Sequence, residues 1–302
     1  MSCNGQTRRS VLAGLAAGMA GFRAELAQAQ LRPAPEPIDP AQGRFARPRH
    51  DKPLPDGKIA RGNRQIVAAW FSDPTQRYRH FALGADHEPG SLVISTADHR
   101  FHKLALAPDS VFEDREPRIV DIDGTDMVIV VRSYLKQGAA LALVGIVNNE
   151  AKIIIETPPI GAPFKWLNPI GPADFLGDGI LQIALVRTPH TEGQLQLWTA
   201  RNGQLIQTFE VDDVCNHALR SPFMRLHAIA DFNGDGIPDL AVPSQDRRRI
   251  RFFSFRNRRV KEFHQAELPA VAAEDFKVVL KDGRPAVQVG LNAGRTVVVE
   301  AG

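Results

Sequence analysis

The segment from Asp231 to Asp239 carries oxygen-bearing side chains at a spacing suited to binding a metal ion. Its sequence, DFNGDGIPD, places Asp231, Asn233, Asp235 and Asp239 at positions 1, 3, 5 and 9, with a glycine at position 6 for a sharp turn. A hard cation that takes about six to eight oxygen ligands prefers such a set, completed by the carbonyl of Ile237 and by water. The segment therefore predicts a calcium site with the ligands Asp231, Asn233, Asp235, Ile237 and Asp239.

Other Asp-Gly segments keep only parts of this pattern. The segment 174–182 retains aspartates at positions 1 and 5 but has Leu176 and Gln182 at positions 3 and 9. The segment 121–126 is shorter, and the segment 282–286 keeps only the turn. We therefore expect calcium at the loop 231–239 and at none of these three.

No arrangement of residues typical of an enzyme active site can be identified. His99 and His102 straddle a turn, which does not favour a shared zinc ion. Glu113 and Asp114 are adjacent, so on a strand their side chains point to opposite faces and cannot act as a paired acid and base. Cys215 is the only cysteine left once an N-terminal signal is removed, and we expect it to be a small buried residue without a disulfide partner.

Short strands are the elements that position these residues. From Gln65 onward, brief apolar runs alternate with turns rich in Gly, Asp, Asn and Pro, and no segment sustains helical periodicity. Apolar runs that follow Asp-Gly turns recur about every 45–55 residues, at 127–131, 181–186, 240–242 and 286–289. Further strands precede and follow each run. The pattern predicts an all-β protein, a β-propeller of four-stranded antiparallel blades.

Five blades are expected, with six as the alternative. A first, less regular unit spans residues 77–114, and the last unit is one strand short at Gly302. The strand 65–72 would supply the missing strand and close the ring by joining the last blade. Six blades result if the hairpin 65–83 begins a blade of its own.

The loop 231–239 and the strand pattern around it resemble the FG-GAP or VCBS repeat family, known from the propellers of integrin α-chains. The resemblance covers residues 65–302, and it is strong in the repeat that contains this loop and weak in the others. The chain is also similar in build to uncharacterised bacterial exported proteins, which imply no activity. In such propellers the calcium loops lie on one face. The opposite face consists of the loops that enter each blade and those that join its two middle strands.

That opposite face gathers polar and aromatic residues in this sequence. Ligand sites in propellers tend to lie where the central channel opens on such a face. The resemblance places there the candidate ligand-binding residues Glu113, Asp114, Arg132, Trp166, Asn168, Arg187, His190, Asn216 and His217, with Tyr78, His80, Arg118 and Tyr134 nearby.

The N-terminal region predicts export. Residues 7–12 read TRRSVL, an apolar run follows, and an Ala-Gln-Ala sequence ends at Ala29, which together indicate a twin-arginine signal peptide over residues 1–29. The apolar run is shorter than the roughly 20 residues that span a membrane, and no later run is long enough. Resemblance to such a signal implies delivery of the folded protein to the periplasm or the exterior. Residues 30–62 hold seven of the 22 prolines and are expected to form an extended, disordered linker before the propeller at 63–302.

The formal net charge of +3 falls further when the signal is removed, because three arginines and one glutamate leave with it. A cluster of arginines at 247–259 is interleaved only with Phe252, Phe253 and Phe255, which alternate poorly with the arginines and are expected to be blade core. This composition gives no support for nucleic-acid binding.

These observations favour a monomeric, non-catalytic periplasmic or secreted binding or scaffold protein, which uses a calcium-stabilised propeller to present loops to a protein or glycan partner. One alternative is a calcium-dependent lectin. Another is a propeller lyase or hydrolase acting on a polysaccharide through Glu113, Asp114, Arg132, Arg187 and His190.

Overall fold

The computed structural model of the protein describes Pro48, residues 51–292 and residues 294–302. The predicted signal peptide and most of the predicted linker lie outside these residues. In the described part, strands are the regular elements, together with one 3-10 turn at Arg256–Arg258. The described part of the chain contains no helix with the length and apolar character of a membrane span.

Five antiparallel sheets follow one another along the chain. Sheet 1 contains β1 (Ala60–Arg61), β2 (Ile66–Thr75), β3 (Glu88–Thr96) and β4 (Phe101–Ala105). Sheet 2 contains β5 (Ser110–Phe112), β6 (Arg118–Ile122), β7 (Thr125–Tyr134), β8 (Gly138–Val147) and β9 (Glu150–Glu156). Sheet 3 contains β10 (Leu167–Ala173), β11 (Gln182–Arg187), β12 (Gln194–Arg201) and β13 (Gln204–Val211). Sheet 4 contains β14 (Ala228–Ala230), β15 (Asp239–Pro243), β16 (Arg249–Ser254) and β17 (Lys261–Glu267), and sheet 5 contains β18 (Ala272–Lys281), β19 (Arg284–Leu291) and β20 (Arg295–Val299).

Strands that are consecutive in sequence are neighbours in each sheet, as in propeller blades. Sheet 2 has the same plan, but β5 and β6 share one edge of β7 as two halves of an interrupted strand. The predicted strands after the Asp-Gly turns are confirmed as β7, β11, β15 and β19. The prediction of an all-β propeller with four-stranded antiparallel blades is confirmed.

Apolar side chains on both faces of the sheets hold them together. In β8, every residue from Ala139 to Val144 is fully buried, which explains why this strand reads as a continuous apolar run. Separate apolar cores fill the spaces between sheets 1 and 2, 2 and 3, 3 and 4, and 4 and 5. Phe252, Phe253 and Phe255 lie in these cores, as predicted.

Two sequence-based assignments need correction. The strand expected at 65–72 to complete the last blade is β2, which pairs with β1 and β3 in sheet 1, and sheet 5 has three strands in the described region. The predicted linker 30–62 extends too far, because Leu54 and Ile59 are buried and residues 60–61 form β1. These residues run along β2. The edge of β2 that was expected to pair with the last blade therefore pairs with β1 instead.

The antiparallel order gives the ring two distinct ends. The turns from the first to the second strand of a sheet, such as 174–181 and 231–238, lie at one end, here called the lower end. The loops that join the middle strands, and those that lead from one sheet to the next, lie at the other, the upper end. The candidate calcium loop and the candidate ligand-binding residues are therefore at opposite ends, as expected.

Candidate functional site

The segment 113–117 lies between β5 and β6, the two halves of the interrupted strand of sheet 2, and it positions several charged residues. Asp114 Oδ1 accepts hydrogen bonds from the backbone N–H groups of Arg115 (2.8 Å) and Glu116 (3.1 Å), which stabilises the break between β5 and β6. Asp114 Oδ2 accepts a bond of 2.8 Å from Arg118. The Asp114 side chain is fully buried, so its role in this geometry is to stabilise the interrupted strand formed by β5 and β6.

Glu113 points away from Asp114 and lies among different partners. Its carboxylate oxygens contact His80 Nδ1 at 2.5 Å and accept a hydrogen bond from the Ser133 hydroxyl. Its backbone carbonyl accepts a bond of 2.8 Å from Trp166 Nε1. Glu113 and Ser133 are fully buried, whereas His80 is partly exposed at the surface of the upper end. A serine nucleophile needs a histidine next to its hydroxyl, and here the carboxylate lies between them.

Two histidines from different loops pack against Trp166. His190 stacks on the indole at a centroid distance of 5.7 Å, and His217 meets it edge-on at 4.9 Å. His217 Nε2 lies 3.0 Å from the carbonyl of Ser221, which can only accept, so Nε2 carries the proton. His217 Nδ1 then accepts from His190 Nε2 at 2.9 Å. In this arrangement His217 is neutral, with its single proton on Nε2, and His190 is the donor.

Burial keeps these histidines neutral. Desolvation, together with the charges of His80 and Arg247, lowers the pKa of His190 to about 4. Desolvation, with a smaller contribution from His190, lowers the pKa of His217 to about 3. Cys215 is also buried, and burial raises the pKa of its thiol, in agreement with the expected inert role.

The remaining polar candidates are engaged with neighbours in the fold. Arg132 pairs with Glu156 at 3.4 Å, and Arg187 pairs with Glu192. Asn168 and Asn216 are fully buried and donate to each other's backbone carbonyls at 3.3 and 3.2 Å. Their side-chain oxygens have no hydrogen-bond partner in the described part of the chain.

The structure brings together Glu113, Trp166, His190 and His217, with His80, in one polar and aromatic cluster. Trp166 is 1% exposed and belongs to the core between sheets 2 and 3, so it is not an open stacking surface for a ligand. Its burial arises because Ala82 and Leu83, from the loop 76–87, pack in the same core. Arg132 and Arg187 lie in separate ion pairs.

Exposed apolar residues at the upper end were missed by the sequence analysis. Four large apolar side chains are exposed there: Phe81 (37%), Phe164 (50%), Leu219 (59%) and Phe223 (36%). Their loops touch, since Arg220 N donates to Ala82 O at 2.8 Å and the Phe164 ring lies 5.5 Å from that of His80. We call these four residues the apolar patch. The signal in the sequence that could have indicated this exposure is the presence of isolated Phe and Leu residues within turn-rich segments.

At the lower end, the loops 174–182 and 231–239 have the same hydrogen-bond plan. Asp231 Oδ1 accepts from Gly234 N and Asp235 N, and Oδ2 accepts from Gly236 N, at 2.8–3.0 Å. Asp174 accepts in the same way from residues 177, 178 and 179, at 2.8–3.1 Å. Gly234 and Gly236 have φ values of 77° and 85°, which glycine adopts without strain.

Position 9 also has an equivalent role in the two loops. Asp239 Oδ2 accepts from the N–H groups of residues 232 and 233 at 3.0 and 3.1 Å. Gln182 Oε1 accepts from those of residues 175 and 176 at 2.8 and 3.3 Å. Burial, together with the charge of Asp235, raises the pKa of Asp239 to about 7.

The residues of the loop 231–239 suit calcium in their chemistry, because their donors are all oxygens. In the geometry present, their carboxylates are turned to backbone N–H groups, and Asp235 Oδ2 lies 3.3 Å from Arg256 Nη1. Across the described residues, no three acidic, histidine or cysteine side chains lie close enough to share one ion. The donor set fits calcium, and its carboxylates also accept backbone hydrogen bonds within the loop.

Comparison with known proteins gives no match to a family model or to a curated protein. Among solved structures, the exotype rhamnogalacturonan lyase YesX is similar with a TM-score of 0.45 and 12% identity, over 85% of this chain and 58% of that chain. BBS1N, solved in complex with ARL6DN, has a TM-score of 0.44 and 12% identity, over 80% and 65%. The rhamnogalacturonan lyase YesW has a TM-score of 0.41 and 11% identity, over 79% and 51%. The chain thus spans less than two thirds of each of these proteins, and similarity at this level concerns the fold alone.

Proposed function

We propose that this protein is a non-catalytic binding protein of the periplasm or the extracellular space, exported by the twin-arginine route. Its propeller presents the upper-end loops to a protein or glycan partner. The observation that carries the proposal is the apolar patch, which gathers Phe81, Phe164, Leu219 and Phe223 on three loops that touch each other. Exposed apolar side chains gathered in this way mark interaction surfaces.

Backbone conformation supports a role for this patch. Phe81 and Phe164 have φ values of 55° and 58°, in the left-handed region that bulky residues rarely adopt. Such conformations cost free energy and concentrate at functional sites. Phe164 also stacks on the buried Tyr78 at a ring-centroid distance of 5.3 Å, but half of the Phe164 surface stays exposed. The exposed parts of the two phenylalanine rings are explained best by contact with a partner.

Charged residues next to the patch complete an interface of the usual composition. Arg79 and Arg220 are exposed and flank Phe81 and Leu219. Neither arginine forms an ion pair within the described residues. Aromatic residues and arginine are enriched in protein interfaces, and exposed rings also stack on sugars, so the patch suits a protein or a glycan.

The geometry of the acidic and basic candidates supports binding over catalysis. The enzyme alternative needs at least two of Glu113, Asp114, Arg132, Arg187 and His190 to converge on one substrate atom. Within the described residues, each of these five side chains has its own partners, and none hydrogen-bonds to another of the five. The binding function is therefore the one proposed, and the lyase or hydrolase alternative stays a prediction.

The double variant Phe81→Asn and Phe164→Asn tests the proposal, because asparagine tolerates the left-handed region and removes the apolar rings. Leu280→Asn is the matched control, since Leu280 is 75% exposed and lies at the lower end. The mature proteins would be screened against a glycan panel and cross-linked in a bacterial envelope extract.

A partner bound by the wild type and by the Leu280 control, but lost by the double variant, supports the proposal. A partner retained by the double variant would show that the upper end is not the binding surface. Melting curves of the three proteins confirm that each is folded before the comparison is made.

A calcium-dependent lectin is a second candidate, favoured by a groove at the lower end. The groove has a volume of about 900 Å³ and is lined in part by Asn233, Asp235 and Arg256, so a sugar in it would lie beside the candidate calcium loop. Calcium held by Asp231, Asn233, Asp235, Ile237 and Asp239 would supply a cation there. Glycan binding that disappears on chelation and persists in the Phe81 and Phe164 double variant would favour this candidate.

A further inference from the structure

One short turn connects the two Asp-Gly loops of the lower end. The turn 256–258, here called the arginine turn, joins β16 to β17. Arg256 Nη1 lies 3.3 Å from Asp235 Oδ2, and Arg258 Nη2 donates to Asp178 Oδ2 at 2.8 Å. A single turn of three residues therefore places one guanidinium on each of two loops that belong to different sheets.

Both arginines contact the same position of the repeated loop. Asp178 and Asp235 are each residue 5 of their loops, and each also accepts a bond from the N–H two residues later, at 3.2 and 3.0 Å. The loops also adjoin, because the side chain of Ile237 lies directly over Gly177. Position 5 thus receives a positive charge in both loops, whether or not the other metal-ligand positions are present.

The arginine turn has an unusual backbone that directs its side chains. Asn257 and Arg258 both have a φ of 56°, in the left-handed region. Asparagine tolerates this region, but arginine does so at a cost. The left-handed residues 257 and 258 reverse the chain, so that Arg256 and Arg258 reach two separate loops.

The Arg256 guanidinium provides a positive charge next to Asp235 of the loop 231–239. Asp231, Asp235 and Asp239 repel one another, and a positive charge next to any of them reduces that repulsion. A metal ion bound by this loop would draw Asp235 toward itself and away from Arg256. Asp235 Oδ1 already accepts a hydrogen bond from Ile237 N at 3.0 Å, so Oδ2 is the oxygen that remains for a metal ion, and it is the oxygen that faces Arg256.

We propose that Arg256 is a tethered cation of the loop 231–239 that competes with calcium for Asp235, while Arg258 holds the neighbouring loop 174–182 through Asp178. Calcium binding then requires the release of Arg256. Because Arg256 and Asn257 also line the lower-end groove, that release changes the groove's shape and exposes a mobile positive charge in it. This inference is independent of the upper-end binding surface.

Calcium titration of three proteins tests the inference, with isothermal calorimetry and melting curves as readouts. Arg256→Gln removes the competing charge, so we expect it to bind calcium about tenfold more tightly than the wild type, which corresponds to about 1.4 kcal/mol. Arg258→Gln is the matched control, since it removes an arginine of the same turn that contacts the other loop. We expect its calcium affinity to equal that of the wild type.

Equal calcium affinity of the wild type and Arg256→Gln overturns the inference, as does an Arg256→Gln protein that shows no response to calcium. Arg256→Lys is a second variant in case the glutamine variant does not fold. It retains the charge on a different head group, and we expect an affinity between those of the wild type and the glutamine variant. A calcium affinity of Arg256→Lys below that of the wild type would also overturn the inference.

Discussion

Lys58 Nζ lies 3.5 Å from Asp275 Oδ2, which links the segment entering sheet 1 to the first strand of sheet 5. Asp275 also lies 3.6 Å from Arg225, and Glu116 lies 3.7 Å from Lys58 and 3.8 Å from Arg225. Each cation of this ring of four therefore contacts both anions. Since no strand passes from sheet 5 into sheet 1 in the described residues, the ion pair joins the first and last sheets through side chains.

Asp275→Asn should destabilise the fold by breaking this ring of charges. The amide oxygen can still accept the bond from Arg225 N that Asp275 Oδ1 accepts at 2.8 Å, so the substitution isolates the lost charge. We expect a loss of about 1–2 kcal/mol, between the values for exposed and buried pairs. Urea unfolding at low and high salt measures the loss, which should shrink in high salt.

Glu300→Gln is the control for this substitution, since it breaks the exposed pair between Lys281 and Glu300 in the same sheet. We expect no measurable change in stability from it. An equal effect of the two substitutions would mean that the ring of charges does not link the sheets.

Trp166→Ala should strongly destabilise the protein. The indole is buried between sheets 2 and 3 and donates a hydrogen bond to Glu113 O. Truncation of a buried aromatic residue to alanine costs about 3–5 kcal/mol. Phe164→Ala is the matched control, because this ring lies two residues away and is half exposed. Chemical denaturation measures the free energy of unfolding of each variant. If Trp166→Ala lowers it no more than Phe164→Ala does, Trp166 is an exposed residue and not part of the core.

Stability should depend on pH through His190 and His217. Their pKa values in the folded protein, about 4 and about 3, lie below the value of about 6.5 in an unfolded chain. The unfolded state therefore takes up protons first as the pH falls, and stability is lost from about pH 6.5 downward, by up to about 1.4 kcal/mol per pH unit for each histidine. Asp239 contributes with the opposite sign, because its pKa is raised to about 7.

The variant His217→Gln separates these contributions. Its stability should decline less steeply below pH 6.5 than that of the wild type, because one of the two neutral histidines is gone. Denaturation curves between pH 7.5 and 4.5 provide the comparison. Parallel pH profiles would show that His217 does not titrate as its burial implies.

Export should depend on the paired arginines of the predicted signal. Replacing Arg8 and Arg9 with lysine should leave the precursor in the cytoplasm, because the pair distinguishes this signal from a general secretory one. Arg23→Lys is the control, since it changes an arginine outside the motif. Fractionation and immunoblotting measure the processing of each precursor. Normal processing of the double variant would contradict the twin-arginine assignment.

The fold could be predicted because its signals are local. Each Asp-Gly turn precedes a short apolar strand, so β7, β11, β15 and β19 were located from sequence alone. β1 was missed because a strand of two residues has no period of its own. Without β1, the strand that became β2 had no partner on one edge, and it was assigned to the last blade instead.

The upper end was harder to predict because exposure there depends on contacts between distant loops. Trp166 and Phe164 lie in the same loop, yet the first is 1% and the second 50% exposed. The loop 76–87 contacts both residues, because Leu83 shares a core with Trp166 and Tyr78 stacks on one face of the Phe164 ring. Sequence reasoning singled out the polar and aromatic loops as a group, but it could not rank their members by exposure.

The equivalence of Gln182 and Asp239 bears on how such rings diverge. An amide oxygen and a carboxylate oxygen accept the same two backbone N–H groups, so exchange between them preserves the turn while changing its charge. A single substitution at this position therefore changes the charge of a loop while the turn keeps its backbone hydrogen bonds. Under the proposed calcium function, a loop's capacity for a cation is then separable from the stability of the sheet that carries it.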